Sequence, residues 1–324
     1  MSTEAIVADI GGTNARFGLV NQNGEIDHVS VLQCADFRGI DEAFHHFSSE
    51  VGRATSQLAV AVACPVQHDS VKLTNNDWSF SKKALVNVLN LSELLVINDF
   101  TAQSLAAVSV NQDAFEVIQA GSQDPFGPIF VIGPGTGLGV GGVVVDAQGE
   151  WTPLSTEGGH VTMAAQTEDE WRLLTMLRKE YSHVSAERLI SGPGLLLIYR
   201  SLCALEGLKP LVNSPQALMQ SYEDHAIVRR TLELFAGFFG IVASDGCLTL
   251  GATGGCCIAG GVIPKLGDYF RRDIFLERFR AKGRFKNYLS NIPIKILLDS
   301  EAGLYGLKRA LATNALDRYV VRRP

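Results

Sequence analysis

No Gly-x-x-x-x-Gly-Lys-Ser/Thr run occurs in the sequence, which excludes a Walker A phosphate loop. The six cysteines, at 34, 64, 203, 247, 256 and 257, show neither Cys-x-x-Cys nor Cys/His spacing, so neither a zinc site nor a disulfide framework is expected. They read as small buried hydrophobes of a reducing compartment. An excess of positive charge is lacking too: 28 Lys and Arg stand against 34 Asp and Glu, a net charge of −6, and no electrostatic footprint for nucleic acid results. The basic residues Lys308, Arg309, Arg318, Arg322 and Arg323 read as a solvated helix face and tail. No basic apolar leader is seen before the strand that opens at Ala5-Ile6-Val7, and the most apolar helical run, Leu234 to Ser244, falls far short of the ~20 residues of a membrane span. A cytoplasmic enzyme or ATPase, with no membrane or nucleic-acid partner, is the expectation.

What is present is glycine between β-branched runs. With 324 residues, 46% hydrophobic and 19% charged, the chain is long enough for two α/β domains. Its central stretch is Val131-Ile132-Gly133-Pro134-Gly135-Thr136-Gly137-Leu138-Gly139-Val140-Gly141-Gly142, followed by Val143-Val144-Val145. Glycine at this density brings backbone N–H groups close to a ligand, and a polyphosphate is the common one; a plain glycine-rich hairpin turn is the alternative. Gly137-x-Gly139-x-x-Gly142 matches the dinucleotide fingerprint formally, with Glu157 near its acidic position. That fingerprint requires a helix after the loop, whereas Val143 to Val145, closed by Asp146-Ala147-Gln148-Gly149, reads as a second strand.

A similar unit opens the chain. Ile6 to Ile10 is a buried strand, Gly11-Gly12-Thr13-Asn14 a turn, Ala15 to Val20 a second strand, and Asn21 to Glu25 turns into a third. Two such hairpins suggest a duplicated α/β unit around a cleft. Between them lie a helix over Asp41 to Val51, a strand over Gln57 to Ala63, and Leu94 to Ile97 running into Asn98-Asp99-Phe100-Thr101. Asp99 falls at a strand's carboxyl end, where ligands gather in parallel sheets, and would serve equally as a helix N-cap. A break is expected at Gly121-Ser122-Gln123-Asp124-Pro125. Beyond it a capping box, Thr167 to Glu170, opens a helix with Trp171, Leu174 and Leu177 on one side. Short helices are expected from Ser185 and from Ser191, a long one over Ala226 to Leu248, strands at Gly255 to Ala259 and Ile294 to Leu298, and a last helix over Leu304 to Ala315.

Three glycine sites, 11–12, 133–142 and 260–261, each follow a buried strand, so one nucleotide could touch all three. None is followed by lysine, which leaves Mg²⁺ and backbone dipoles to carry the phosphate charge. Asp9 suits a metal held through water, or a capped turn. The remaining polar set is Asn98, Asp99, Glu157, His160 and Glu187. Carboxylates and amides with several acceptors suit a polyol, and one carboxylate beside an alcohol suits a general base in phosphoryl transfer. Singly, a Glu-Gly-Gly-His run is a common turn and Glu187 a common N-terminal helix charge.

Together, Asp9-Ile10-Gly11-Gly12-Thr13-Asn14-Ala15-Arg16-Phe17, Leu73-Thr74-Asn75, Asn98-Asp99-Phe100-Thr101-Ala102, Gly133 to Gly139, Glu157-Gly158-Gly159-His160, Ser185-Ala186-Glu187-Arg188, Ser191-Gly192-Pro193-Gly194 and Ala259-Gly260-Gly261 resemble the bacterial glucokinase family. The resemblance runs in order from residue 5 to about 310. It implies an α/β, two-domain actin-like ATPase (ribonuclease H-like) fold, with a small domain of residues 1–110 plus 300–324 and a large domain of 111–299. ATP-dependent phosphorylation of the glucose 6-hydroxyl, with Mg²⁺, by a cytoplasmic homodimer is also implied. Carried over, Asp99 is the general base, Asn98, Glu157, His160 and Glu187 hold the sugar, and Gly11, Gly12, Thr13, Asn14, Gly135, Thr136, Gly137, Gly260 and Gly261 contact the nucleotide. The alternative is an actin-like or chaperone-like ATPase without a sugar substrate, which the five-residue polar set disfavours.

Overall fold

The Ala, Val and Ile runs marked as buried strands form the centres of two sheets. The computed structural model describes residues 4–53, 55–74 and 76–323; Asn75 of the Leu73-Thr74-Asn75 motif lies outside them. Along the chain come β1 (Ala5–Ile10), β2 (Asn14–Val20), β3 (Ile26–Gln33), α1 (Ile40–Val51), β4 (Gln57–Val62), β5 (Ser70–Lys72), β6 (Ser79–Ser81), α2 (Lys82–Val88), β7 (Glu93–Asn98) and α3 (Asp99–Ala106). Next are β8 (Phe115–Gln119), β9 (Ile129–Pro134), β10 (Leu138–Val145), β11 (Trp151–Ser155), α4 (Glu168–Glu180), α5 (Ala186–Leu189), α6 (Gly192–Leu205), α7 (Pro215–Gln220) and α8 (Ala226–Leu250). The chain closes with β12 (Gly255–Ile258), α9 (Val262–Leu266), α10 (Arg272–Arg280), α11 (Lys286–Ser290), β13 (Ile294–Leu297), α12 (Ala302–Leu311) and β14 (Val320–Arg322).

The first unit comprises Met1–Gln112, Val145–Ser155 and Asp299–Pro324. Its sheet runs β14-β7-β4-β1-β2-β3. β7, β4 and β1 are parallel, with Ile10 opposite Val62 and Val62 opposite Asn98, so the Gly11 turn and Asp99 leave the same edge of the sheet. Strand alternation sends Ile6, Ala8 and Ile10 into a core with Phe17, Phe44 and Phe47, while Asp9 points to the other face, where α12 and α3 pack together. That packing is very close: a Cβ on Gly306 would stand 1.9 Å from the Ala102 carbonyl oxygen.

The second unit comprises Asp113–Val144 and Thr156–Leu298. Within it the strands run β10-β9-β12-β13-β8, with β9, β12 and β13 parallel. Its core is built on α8, whose Phe235, Phe238 and Phe239 are buried among residues of α6 and α10.

Several expectations need correction. Residues 145–155, placed in the 111–299 domain, cluster instead with the first unit, because β11 packs on α3. α8 has 25 residues and by length and composition is apolar enough to cross a membrane, contrary to the reading of Leu234 to Ser244; 78% of its most apolar window is buried, so its apolar surface faces protein. Trp171 does not share the buried side of α4: it is 57% exposed, and Leu173, Leu174 and Leu177 form the stripe. The last helix starts two residues earlier than expected and ends at Leu311, beyond which Asn314–Tyr319 is a 3₁₀ turn.

Candidate active site

In the first unit, the β1–β2 turn is drawn shut by Gly11 N–H donating to the Asn14 carbonyl at 2.9 Å. The turn is held from outside: the Cys34 amide donates to the Thr13 carbonyl at 2.8 Å, and Asn76 Nδ2 to the Gly11 carbonyl at 3.1 Å. Thr13 is exposed at its tip, and Asn14 Oδ1 accepts from Gln33 Nε2 at 2.7 Å. The turn can thus present main-chain donors to an anion.

Where β7 becomes α3, Asn98 is the N-cap and its Oδ1 accepts the Phe100 N–H at 2.9 Å. Asp99 is therefore released from the capping role that was open to it. It opens the helix, and its Oδ1 accepts the same Phe100 N–H at 2.9 Å, which fixes the carboxylate. Burial raises its pKa to about 7, with the Asp9 charge adding to the rise and the Phe100 N–H opposing it. Asp9 is raised as well, first by burial, against the attraction of Arg16. Two carboxylates in one partly buried region at the parallel strands' carboxyl edge make it a place short of positive charge.

In the second unit, the β9–β10 hairpin pairs Pro134 with Leu138 and ends in Gly135, Thr136 and Gly137, with Thr136 exposed. Gly192 N–H, at the start of α6, donates to the Gly135 carbonyl at 2.9 Å. Glu187 Oε2 accepts the Leu138 N–H at 2.9 Å, and a Cβ on Gly137 would fall 2.4 Å from that oxygen. A side chain at position 137 would push the Glu187 carboxylate away from the Leu138 N–H. His160 Nδ1 is 4.0 Å from the other Glu187 oxygen. Glu157 precedes the short turn Gly158–His160, and a Cβ on Gly159 would meet the Leu138 carbonyl at 2.1 Å, so the turn is pressed onto the start of β10. Because β12 lies parallel to β9, Gly260 comes beside Pro134; its φ of +79° and the 2.7 Å from its Cβ position to the Pro134 carbonyl both demand glycine. Gly261 caps α9.

The second unit thus gathers Glu157, His160, Glu187, Gly135 to Gly137 and Gly260–Gly261 around one end of its sheet. The first unit gathers Asp9, Gly11 to Asn14, Asn98 and Asp99 at one edge of its own. Sequence reasoning missed Gly303, whose Cβ would stand 2.6 Å from Asp9 Oδ2, and the Thr101 to Ser155 hydroxyl pair at 2.7 Å that ties α3 to β11. Nothing local marks either, since each joins segments distant in sequence.

The Glucokinase family model matches residues 6–314. The chain belongs to the glucokinase family. A glucokinase from Hahella chejuensis is 40% identical over 95% of this chain and 96% of its own length. A crystal structure of glucokinase from an Antarctic psychrotroph is 34% identical, with a TM-score of 0.87 over 96% of this chain and 99% of that one. At fold level alone, the likeness extends to a ROK family glucokinase from Streptomyces griseus, solved with glucose and AMPPNP, at 17% identity and a TM-score of 0.61 over 95% and 98% of the two chains. The glucokinase fold is therefore the fold of this protein.

Proposed function

We propose that the protein phosphorylates the 6-hydroxyl of glucose with ATP, giving glucose 6-phosphate and ADP. Family membership over nearly the whole chain supports the activity, and one observation carries the mechanism: Asp99 stands at the carboxyl edge of parallel strands, held by the Phe100 N–H, with a pKa near 7. A base of that strength takes the proton of a hydroxyl as the alcohol becomes a nucleophile at neutral pH. In the step, the sugar O6 forms a bond to the γ-phosphorus, the bond from that phosphorus to the β–γ bridging oxygen breaks, and the O6 proton passes to Asp99.

Asn98, Glu157, His160 and Glu187 are assigned to the sugar hydroxyls, and Gly11 to Asn14, Gly135 to Gly137, Gly260 and Gly261 to the nucleotide. The two units correspond, in this reading, to the small and large domains of the actin-like, ribonuclease H-like ATPase fold. Among the described residues no three His, Cys, Asp or Glu side chains cluster around a possible metal, so a cage made of protein is not on offer. Asp9, in a region that also holds the Asp99 carboxylate and is short of positive charge, fits Mg²⁺ that keeps water and phosphate as its other ligands. When bound, the ion would neutralise charge on the phosphate oxygens. We also infer a homodimer in the cytoplasm, as the family resemblance implies; sedimentation at working concentration tests the dimer.

The deciding experiment follows ADP release with glucose, mannose, glucosamine and no sugar. Strong stimulation by an aldohexose supports the kinase. Turnover that ignores every sugar would instead identify an ATPase that moves a partner.

A further inference from the structure

Four arginines of the second unit meet carboxylates: Arg230 pairs with Asp169 and Glu206, Arg271 with Glu233 and Asp273, Arg272 with Glu116, and Arg278 with the buried Glu170. Arg188 and Arg200 pair with no carboxylate among the described residues and stand together. Both line a cavity of about 360 Å³ whose wall also includes Thr136 of the glycine loop and Glu187. Three of its other polar groups are committed elsewhere. The Ser185 and Ser191 hydroxyls accept the Arg188 and Gly194 N–H groups as helix caps, and Glu187 Oε2 accepts the Leu138 N–H. The Arg188 guanidinium lies 3.9 Å from the centroid of the Tyr181 ring and also hydrogen-bonds the Tyr181 side chain, which holds it at the cavity wall with further N–H donors unused by any carboxylate. Arg200 makes no hydrogen bond or ion pair among the described residues. In a chain of net charge −6, this cavity carries two guanidinium groups against a single carboxylate.

A planar guanidinium matches two phosphate oxygens at once, and an arginine pair next to a phosphate loop suits a polyphosphate chain. Lys265 Nζ stands 3.9 Å from the Cβ position of Gly261, but no lysine lines this cavity, so beside Thr136 the cationic side chains are the two arginines. We propose that Arg188 and Arg200 form an oxyanion site that binds the phosphate chain of the nucleotide beside Thr136. This rests on the kinase reading above and adds to it two contact residues on α5 and α6 that the glycine motifs do not supply.

Both side chains are exposed, so Arg188→Gln and Arg200→Gln leave the fold intact. Steady-state kinetics on the full chain are expected to show the KM for ATP raised about tenfold in each variant and further in the double variant, while kcat and the KM for glucose stay within about twofold. Arg200→Lys should recover part of the loss, since it restores the charge without the fork. In calorimetry, tripolyphosphate should compete with ADP on the unmodified protein and fail to bind the double variant. An unchanged KM for ATP and unchanged ADP affinity in the double variant, with glucose still phosphorylated, would overturn the proposal and leave the kinase reading standing. Weakened inhibition by glucose 6-phosphate with ADP affinity intact would also overturn it, because the site would then belong to the product. If the unmodified protein shows no sugar-dependent turnover, the kinase reading fails, and the tripolyphosphate titration still decides whether the two arginines hold a phosphate chain.

Discussion

Asp99 illustrates a conflict that a single residue can carry. Its folded pKa is raised from 3.8 to about 7, chiefly by burial, so as pH rises through that interval the folded state holds a proton that the unfolded chain has lost. The stability associated with the neutral form is complete below 3.8, declines as pH rises and is lost once the folded group ionises near 7. In the proposed mechanism the ionised form is the base, so the free protein's kcat/KM for glucose is expected to fall on the acid side with a midpoint near 7. Asp99→Asn separates the two effects, because the amide keeps an acceptor for the Phe100 N–H without the charge. Turnover is expected to drop by roughly 10²–10⁴ with sugar affinity retained. Thermal melts of the unliganded variant at pH 8 should lie a few degrees above those of the parent, the gap closing as pH is lowered towards 4. A variant that loses activity and melts lower at pH 8 would show that the carboxylate is a structural anchor, not a strained base.

At the scale of elements, the crossing of α3 and α12 depends on absent side chains. Gly306→Ala would put a Cβ 1.9 Å from the Ala102 carbonyl oxygen, a backbone atom that can move only with its helix. Overpacking of this kind costs roughly 1–3 kcal/mol, and urea unfolding should register it as a lower midpoint with an unchanged slope. Gly303→Ala, three residues earlier on α12, would meet the Asp9 carboxylate instead and is expected to lower kcat more than stability. Elements of this type also show what a sequence conceals. β1, β4, β7 and β9 are legible because short apolar runs rich in Val and Ile, closed by turn or cap residues, admit little else, β12 because it lies between two glycine pairs, and the caps at Thr167, Ser185 and Ser191 because a hydroxyl three residues before a free N–H is a local signal. β11 contains a proline, which hides it as a strand, and β14 has three residues and becomes a strand through a distant partner, β7, which no window of sequence displays. Trp171 was assigned to the wrong side because a spacing of three fits two stripes of one helix, and Leu173 decided between them only once the core was formed. The same limit applies to the site. The motifs named Asp99, Glu157, His160 and Glu187, whereas the seating of Glu187 on the Leu138 amide and of Gly303 under Asp9 arises from packing between segments far apart in the chain.

On the scale of the whole molecule, neither unit is a continuous piece of chain. The first has a separate apolar core from the second, and it is assembled from three segments, the last of them residues 299–324. α12 covers the face of β1 and β4 next to α3, and β14 pairs with β7 at the sheet edge. A chain cut after Leu298 would retain every proposed sugar and nucleotide residue yet leave that face of the first unit uncovered. Such a truncation is expected to lose glucose binding in calorimetry and to show early exchange of amide hydrogens in β1, β4 and β7, with the core around α8 still protected. Full protection of those three strands would show instead that the tail is an accessory.

The late position of α12 has a consequence for how the protein is made. Synthesis delivers the β1–β2 turn first and Asp99 later, but the helix that packs against Asp9 and α3 follows about 200 residues after Asp99. At some 5–20 residues per second, the earliest carboxylate of the site waits many seconds for the segment that encloses it. A growing chain therefore cannot complete the first unit, nor spend ATP on sugar, until α12 has left the ribosome.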